Sequence, residues 1–146
     1  MREILFRGKL KSGGNWMFGC LLIYGNRCFI IPSEELIESE VESRFYWHLL
    51  EKNYEVLLET VGQFTGLTGK NGVRIFEGDI CRNARNDKVV SVKWHGTMAG
   101  FVWSKRKDGT YLSDFGELFR AYDKYEVIGN IHDNPELLEV EHGKAD

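Results

Sequence analysis

The stretch Thr60-Val61-Gly62-Gln63-Phe64-Thr65-Gly66-Leu67-Thr68-Gly69-Lys70-Asn71-Gly72-Val73-Arg74-Ile75-Phe76-Glu77-Gly78-Asp79-Ile80 decides the fold. Glycines at 62, 66, 69, 72 and 78 punctuate apolar residues at near-strand spacing. Asn71-Gly72 is a strong turn signal, because both residue types tolerate positive φ, and it separates an apolar run ending at Leu67 from one starting at Val73. A hairpin is predicted there. Gly78 interrupts the second run, and the Asp79 side chain can accept a hydrogen bond from backbone two residues on. A kink or bulge is therefore expected before a new strand at Ile80. Small barrels turn corners in this way, and residues 60–131 are expected to form one, closed or nearly so.

Upstream, residues 3 to 7 alternate loosely, Ser12-Gly13-Gly14-Asn15 makes a turn, and Trp16 to Tyr24 is an apolar run. Gly25-Asn26 suits a two-residue loop, after which Arg27 to Ile31 returns as a third strand that Pro32 stops. Such a loop pairs Tyr24 with Arg27, Ile23 with Cys28 and Cys20 with Ile31. The middle strand of this antiparallel meander is apolar throughout, so both its faces need cover. Ser33 reads as a helix N-cap with Glu34 and Glu35 in the first turn, which predicts a helix to about Val41. Tyr54 to Glu59 reads as a strand.

Downstream, Lys88 to His95 alternates, with Val90, Val92 and Trp94 on one face and Ser91, Lys93 and His95 on the other. Phe101 to Lys105 runs back, Asp114 to Tyr122 suits one or two helical turns, and Tyr125 to Ile131 is a closing strand. Asn134 as N-cap, Pro135 in the first helical position and Glu136 behind it predict a short final helix.

Three pieces of the chain resemble the YopX family of phage and prophage proteins. They are Ile4-Leu5-Phe6-Arg7-Gly8-Lys9 with Gly14-Asn15-Trp16, the stretch from Glu59 to Ile80, and Val127-Ile128-Gly129-Asn130-Ile131-His132-Asp133-Asn134-Pro135-Glu136-Leu137-Leu138. The resemblance runs from Arg2 to Leu138 and is weakest from Ser33 to Tyr54. It implies an SH3-like β-barrel in the C-terminal part and a viral origin, and it carries no catalytic or binding residue with it. The expected fold is mainly β, of the α+β class. Residues 1–59 form antiparallel strands with a helix, and residues 60–146 an SH3-like small β-barrel with a short C-terminal helix.

Composition bounds the function classes. With 42% apolar and 28% charged side chains in 146 residues, the chain is an ordinary globular protein. No run approaches the roughly 18 apolar residues of a membrane helix, and Arg2-Glu3 opens the chain without an apolar leader. No membrane association is expected, and the cytoplasm of a bacterial host is the expected location. The 3 cysteines contain no Cys-x-x-Cys pair, and Cys20 and Cys28 fall on opposite faces of their hairpin, so reduced structural thiols are expected. Residues 1–59 carry 7 Lys/Arg against 9 Asp/Glu, residues 60–131 carry 11 against 8, and residues 132–146 carry 1 against 5. The middle is mildly basic, short of the clear basic footprint of a nucleic-acid-binding domain.

Glu77 and Asp79 are the most suggestive acid pair, since residues i and i+2 of a strand share a face where two carboxylates could hold a divalent cation or divide acid and base roles. The structural reading outweighs this, because Gly78 between them marks a turn that Asp79 would cap. Gly62, Gly66, Asn71, Gly72, Glu77, Gly78 and Asp79 are accordingly read as a structural motif. The 4 histidines are scattered, and no Ser, His and acid set can be drawn from them. Gly69-Lys70 is followed by Asn71 and a strand, unlike a phosphate-binding loop that opens a helix. No catalytic residue, metal or cofactor is assigned.

Trp94, Phe101, Trp103 and Tyr111, with Arg82, Arg85, Lys88, Lys93, Lys105, Arg106 and Lys107 near them in sequence, could make a basic-edged stacking platform for single strands. Aromatics on the strands of a small barrel are more often its core. The leading expectation is a non-enzymatic phage accessory protein that binds an unknown phage or host protein or assembles as a homo-oligomer. A nucleic-acid-binding barrel and a metal-assisted hydrolase using Glu77, Asp79 and His95 are the alternatives.

Overall fold

A computed structural model of the chain describes residues 2–32, 51–97, 99–104 and 122–138. It divides into two compact units, Met1–Phe64 and Thr65–Asp146. Among the described residues the fold is mainly β, with strand order β3-β2-β1-β4-β5 in one sheet and β8-β7-β6-β9 in the other. No helix among them is long and apolar enough to cross a membrane.

In the first unit, β1 (Phe6–Lys9), β2 (Trp16–Tyr24) and β3 (Arg27–Ile31) form the antiparallel meander. The Gly25-Asn26 loop sets the register, pairing Tyr24 with Arg27, Ile23 with Cys28 and Cys20 with Ile31 as predicted. Residues directly opposite share a face. Met17, Leu21, Cys28 and Ile30 therefore take one face, the inner one, and pack with Phe6, Leu10, Val56 and Val61. On the outer face Leu22 and Tyr54 pack against Phe29 and Ile31. The apolar middle strand is thus lined by a cluster on either side.

Residues 54–57, expected as part of a strand from Tyr54 to Glu59, make isolated bridges instead. Glu55 pairs with Phe29 and Val56 with Leu10. Ile30 N–H donates to Tyr54 O and Val56 N–H to Cys28 O, while Lys11 N–H donates to Glu55 O and Leu57 N–H to Lys9 O. The segment therefore bonds to β3 on one side and to the end of β1 on the other, and the hydrogen bonds close a circuit around the inner cluster. The strand stops there because Thr60 turns the chain. Its hydroxyl donates to Leu57 O at 2.6 Å and accepts Lys9 N–H at 2.9 Å, which favours the 3-10 turn at Leu58–Thr60.

β4 (Gly62–Thr68) starts in the first unit, where Gly62 and Gln63 pair with Arg7 and Phe6. The second unit holds the rest of β4, β5 (Arg74–Phe76), β6 (Asp79–Asn83), β7 (Val89–His95), β8 (Gly100–Ser104) and β9 (Tyr125–Asn130). The β4–β5 hairpin closes around Asn71-Gly72, with Gly69 N–H on Val73 O and Gly72 N–H on Gly69 O. Ile75 and Leu67 from this hairpin pack on Cys81, Val90, Val92, Trp103, Tyr125 and Val127. Trp103 and Tyr125 lie ring to ring at 4.5 Å in that core.

The closed SH3-like barrel expected over residues 60–131 is not seen among the described residues, which form an open four-stranded sheet beside the β4–β5 hairpin. The start of β4 is hydrogen-bonded to β1, so that edge is already used, and the circuit that does close lies upstream. A kink or bulge was expected before a strand starting at Ile80; β6 already starts at Asp79, and the register shift against β9 lies within it, between Ile80 and Cys81. The helix predicted from Glu34 to Val41 lies outside the described residues, so the described part of the N-terminal unit bears no support for it; of the helical turns predicted over Asp114 to Tyr122 only Tyr122 is described, at the start of a 3-10 turn, Tyr122–Lys124. At the C-terminal end helix begins at Glu136 and is described to Leu138. Asn134 does not cap it with its side chain; the amide oxygen reaches back to accept Asn130 N–H at 3.2 Å.

Candidate functional site

Around Gly78 the backbone is pinned from two sides. Its N–H donates to Val92 O and its carbonyl accepts Ile131 N–H, both at 2.9 Å, and its φ of 92° is in the region that favours glycine. This turn places Asp79 at the start of β6, 2% exposed, with Oδ2 accepting the Phe76 N–H at 2.7 Å. The aspartate thus reaches three residues back, where the sequence suggested two residues forward. Glu77 stands half-buried in the turn itself rather than on a strand, so the i, i+2 argument for a shared face does not apply to the pair. No group of three or more His, Cys, Asp and Glu side chains among the described residues is placed to hold a metal ion. His95 pairs with Gly100 at the end of β7, and the His132 N–H donates to Asn130 Oδ1.

The basic candidates separate. Arg82 Nη2 donates to Glu126 Oε1 across the β6–β9 ladder, and that carboxylate pushes the guanidinium pKa up. The Arg85 and Lys88 backbone N–H groups are held by Asn83 Oδ1 and Asn86 Oδ1, which frame the β6–β7 loop. Lys93 is exposed and next to Trp94 on β7, so their side chains leave opposite faces of the sheet. Trp94, 45% exposed, meets Phe101 edge to face at 5.1 Å, whereas Trp103 is core. The proposed platform is therefore split between two faces. Lys105, Arg106, Lys107 and Tyr111 lie outside the described residues.

A second cluster, missed by the sequence reading, occupies the outer face of the first unit. Lys9 pairs with Trp16 and Arg7 with Phe18 across β1 and β2. The Arg7 guanidinium sits 4.8 Å from the Trp16 ring centre and the Lys9 ammonium 5.8 Å from it, within cation–π reach. Further along the same face Glu55 is clasped by Arg27 Nε and Lys11 Nζ at 3.0 and 3.1 Å, with Arg27 Nη2 on its other oxygen. The Arg27 hydrogen bonds, then those of Lys11, hold the Glu55 carboxyl down to about 2 against the opposing cost of burial. The signal was present in the period-2 spacing of Arg7 and Lys9 and of Trp16 and Phe18. It became legible once the register placed the two pairs opposite one another.

The family model described as YopX protein matches residues 21–139. The chain belongs to the YopX family. The Gly-rich stretch and the Asp79 turn of this YopX chain lie inside the matched residues, while Arg7, Lys9, Trp16 and Phe18 precede them. The YopX chain is also similar in fold to the crystal structure of protein EF1440 from Enterococcus faecalis, with 24% sequence identity and a TM-score of 0.56 over 94% of this chain and 99% of that one. No curated protein matches it.

Proposed function

We propose that this YopX-family chain is a non-enzymatic binding and assembly module of the phage type, working in the cytoplasm of a bacterial host and associating with copies of itself. The observation that carries the reading is the tip of the β2–β3 hairpin, where Ile23 is 63% and Tyr24 58% exposed. These two neighbours leave opposite faces of β2, so a partner seated on the tip can bury apolar surface on both. A second copy offers the same surface, and closed two-fold pairing is the commonest arrangement for such a patch.

The use of the Asp79 carboxylate as a backbone acceptor supports the non-enzymatic part, because a buried carboxylate committed to a turn is poorly placed to exchange protons with a substrate. Melting curves with Mg²⁺, Mn²⁺ or Zn²⁺ test this. The reading expects an unchanged melting temperature. A rise with metal that Asp79→Asn abolishes would favour a hydrolase using Glu77 and Asp79.

A further inference from the structure

We propose that Glu55 is a positioning residue for self-association: by holding and neutralising Arg27 it lets a second copy of the chain bury the β2–β3 hairpin tip. The inference rests on the assembly reading above. Residues 23–26 carry no charged side chain, and Arg27 is the first charge beyond them. It is the partner of Tyr24 across the two-residue loop, so its side chain leaves the same face as the exposed tyrosine, beside the Ile23–Cys28 pair. In a two-fold pair the same patch lies on both sides of the interface, so two tips that meet bring their Arg27 side chains towards one another. Like charges brought together out of water oppose association.

Glu55 removes that obstacle from within the same chain. It is bridged to Phe29, which is two positions along β3 from Arg27 and therefore on the same face. One carboxylate oxygen accepts Arg27 Nε–H at 3.0 Å and the other accepts Arg27 Nη2–H. This two-bond grip fixes the guanidinium as well as balancing its charge, and it draws the group away from the loop towards Phe29, whose ring centre is 5.7 Å from it. Lys11 Nζ adds a third bond at 3.1 Å while staying mostly in water. With the carboxyl held down to about 2, chiefly by the Arg27 bonds, the pair is ionised throughout the neutral range. The tip is thereby presented with Arg27 ordered and paired, so less freedom is lost and no lone cation is buried when a second copy binds.

The test is sedimentation equilibrium over a dilution series, at about 50 and about 500 mM NaCl, for wild type, Glu55→Gln, Arg27→Gln and the double variant. Glu55→Gln leaves Arg27 without its counter-charge and should weaken self-association roughly tenfold at the lower salt. Added salt should recover part of that loss, because it screens the two Arg27 charges, and should change wild type little. Arg27→Gln breaks the same clasp but leaves no cation in the tip, so it should associate about as well as wild type, and the double variant should do the same. A clasp that only stiffened the hairpin would predict the opposite, since neither of these two variants rebuilds it. The proposal is overturned if Glu55→Gln associates like wild type, or if Arg27→Gln and the double variant are weakened as much as Glu55→Gln. Both of those results leave the assembly reading standing. A wild type that stays at 16.9 kDa at every concentration contradicts that reading and overturns the proposal with it.

Discussion

Asp79 holds the amide of Phe76 across the Glu77-Gly78 turn, carboxylate to N–H at 2.7 Å, with the aspartate almost wholly out of water. That bond joins the end of β5 to the start of β6. Asp79→Ala leaves a buried N–H without its acceptor and should destabilise by about 1 to 3 kcal/mol. Asp79→Asn keeps an amide oxygen and should cost less. Chemical denaturation of the two variants checks the order, and equal losses would contradict it.

Two glycines should resist substitution for different reasons. Gly78→Val forces a β-branched side chain into a φ of 92° and should cost more than about 1 kcal/mol. Gly19→Ala would place its Cβ 2.0 Å from the Ile31 carbonyl oxygen, so the β2 and β3 backbones must separate; on the order of 2 kcal/mol or more is expected. Melting temperatures of both variants test this, and wild-type values would remove the geometric argument.

The Glu55 clasp should make stability fall in acid. Its folded carboxyl lies at about 2, below the ordinary 4.5, so its contribution is fully present above 4.5 and is lost as pH drops from there through about 2. Arg27 and Lys11 remain substantially exposed to water, which limits the effect to the order of 1 kcal/mol. Melting temperature followed from neutral pH down to about 2.5 should decline less steeply in Glu55→Gln than in wild type. Parallel declines would mean that the clasp contributes nothing.

All three cysteines are free thiols. Cys28 donates to Val56 O at 3.4 Å, and burial pushes its thiol pKa up; Cys81 is fully buried in the second core. Alkylation of the native protein should therefore label Cys20 first, with Cys28 and Cys81 reacting on unfolding. Fast native labelling of Cys28, read by peptide mass, would contradict its placement.

The sequence was most informative where a short turn fixes register. Gly25-Asn26 determined every pairing of the β2–β3 hairpin, because a two-residue loop leaves one alignment. It was less informative about which edges meet. Alternation assigns the faces of β4, but nothing in Gly62-Gln63 announces that β1 is its neighbour, so the circuit of hydrogen bonds was expected downstream and is found upstream. β1 was expected at residues 3 to 7 and runs from Phe6 to Lys9, since its pairing with Trp16 to Gly19 outweighs the weak local alternation. The candidate site shows the same division. A turn at Gly78 was legible from that glycine, but Asp79 opens β6 beyond it and accepts the Phe76 N–H three residues back, while the meeting of Lys9, Arg7, Trp16 and Phe18 depends on a strand pairing that no local motif encodes.

The exposed hairpin tip, Ile23 and Tyr24, carries the proposed self-association, and light scattering of the purified chain tests it directly. Wild type should scatter as a closed multiple of 16.9 kDa, and the double variant Ile23→Ser, Tyr24→Ser should fall to 16.9 kDa with its melting temperature little changed. A monodisperse 16.9 kDa species for the wild type, unaltered by concentration, would contradict the assembly reading.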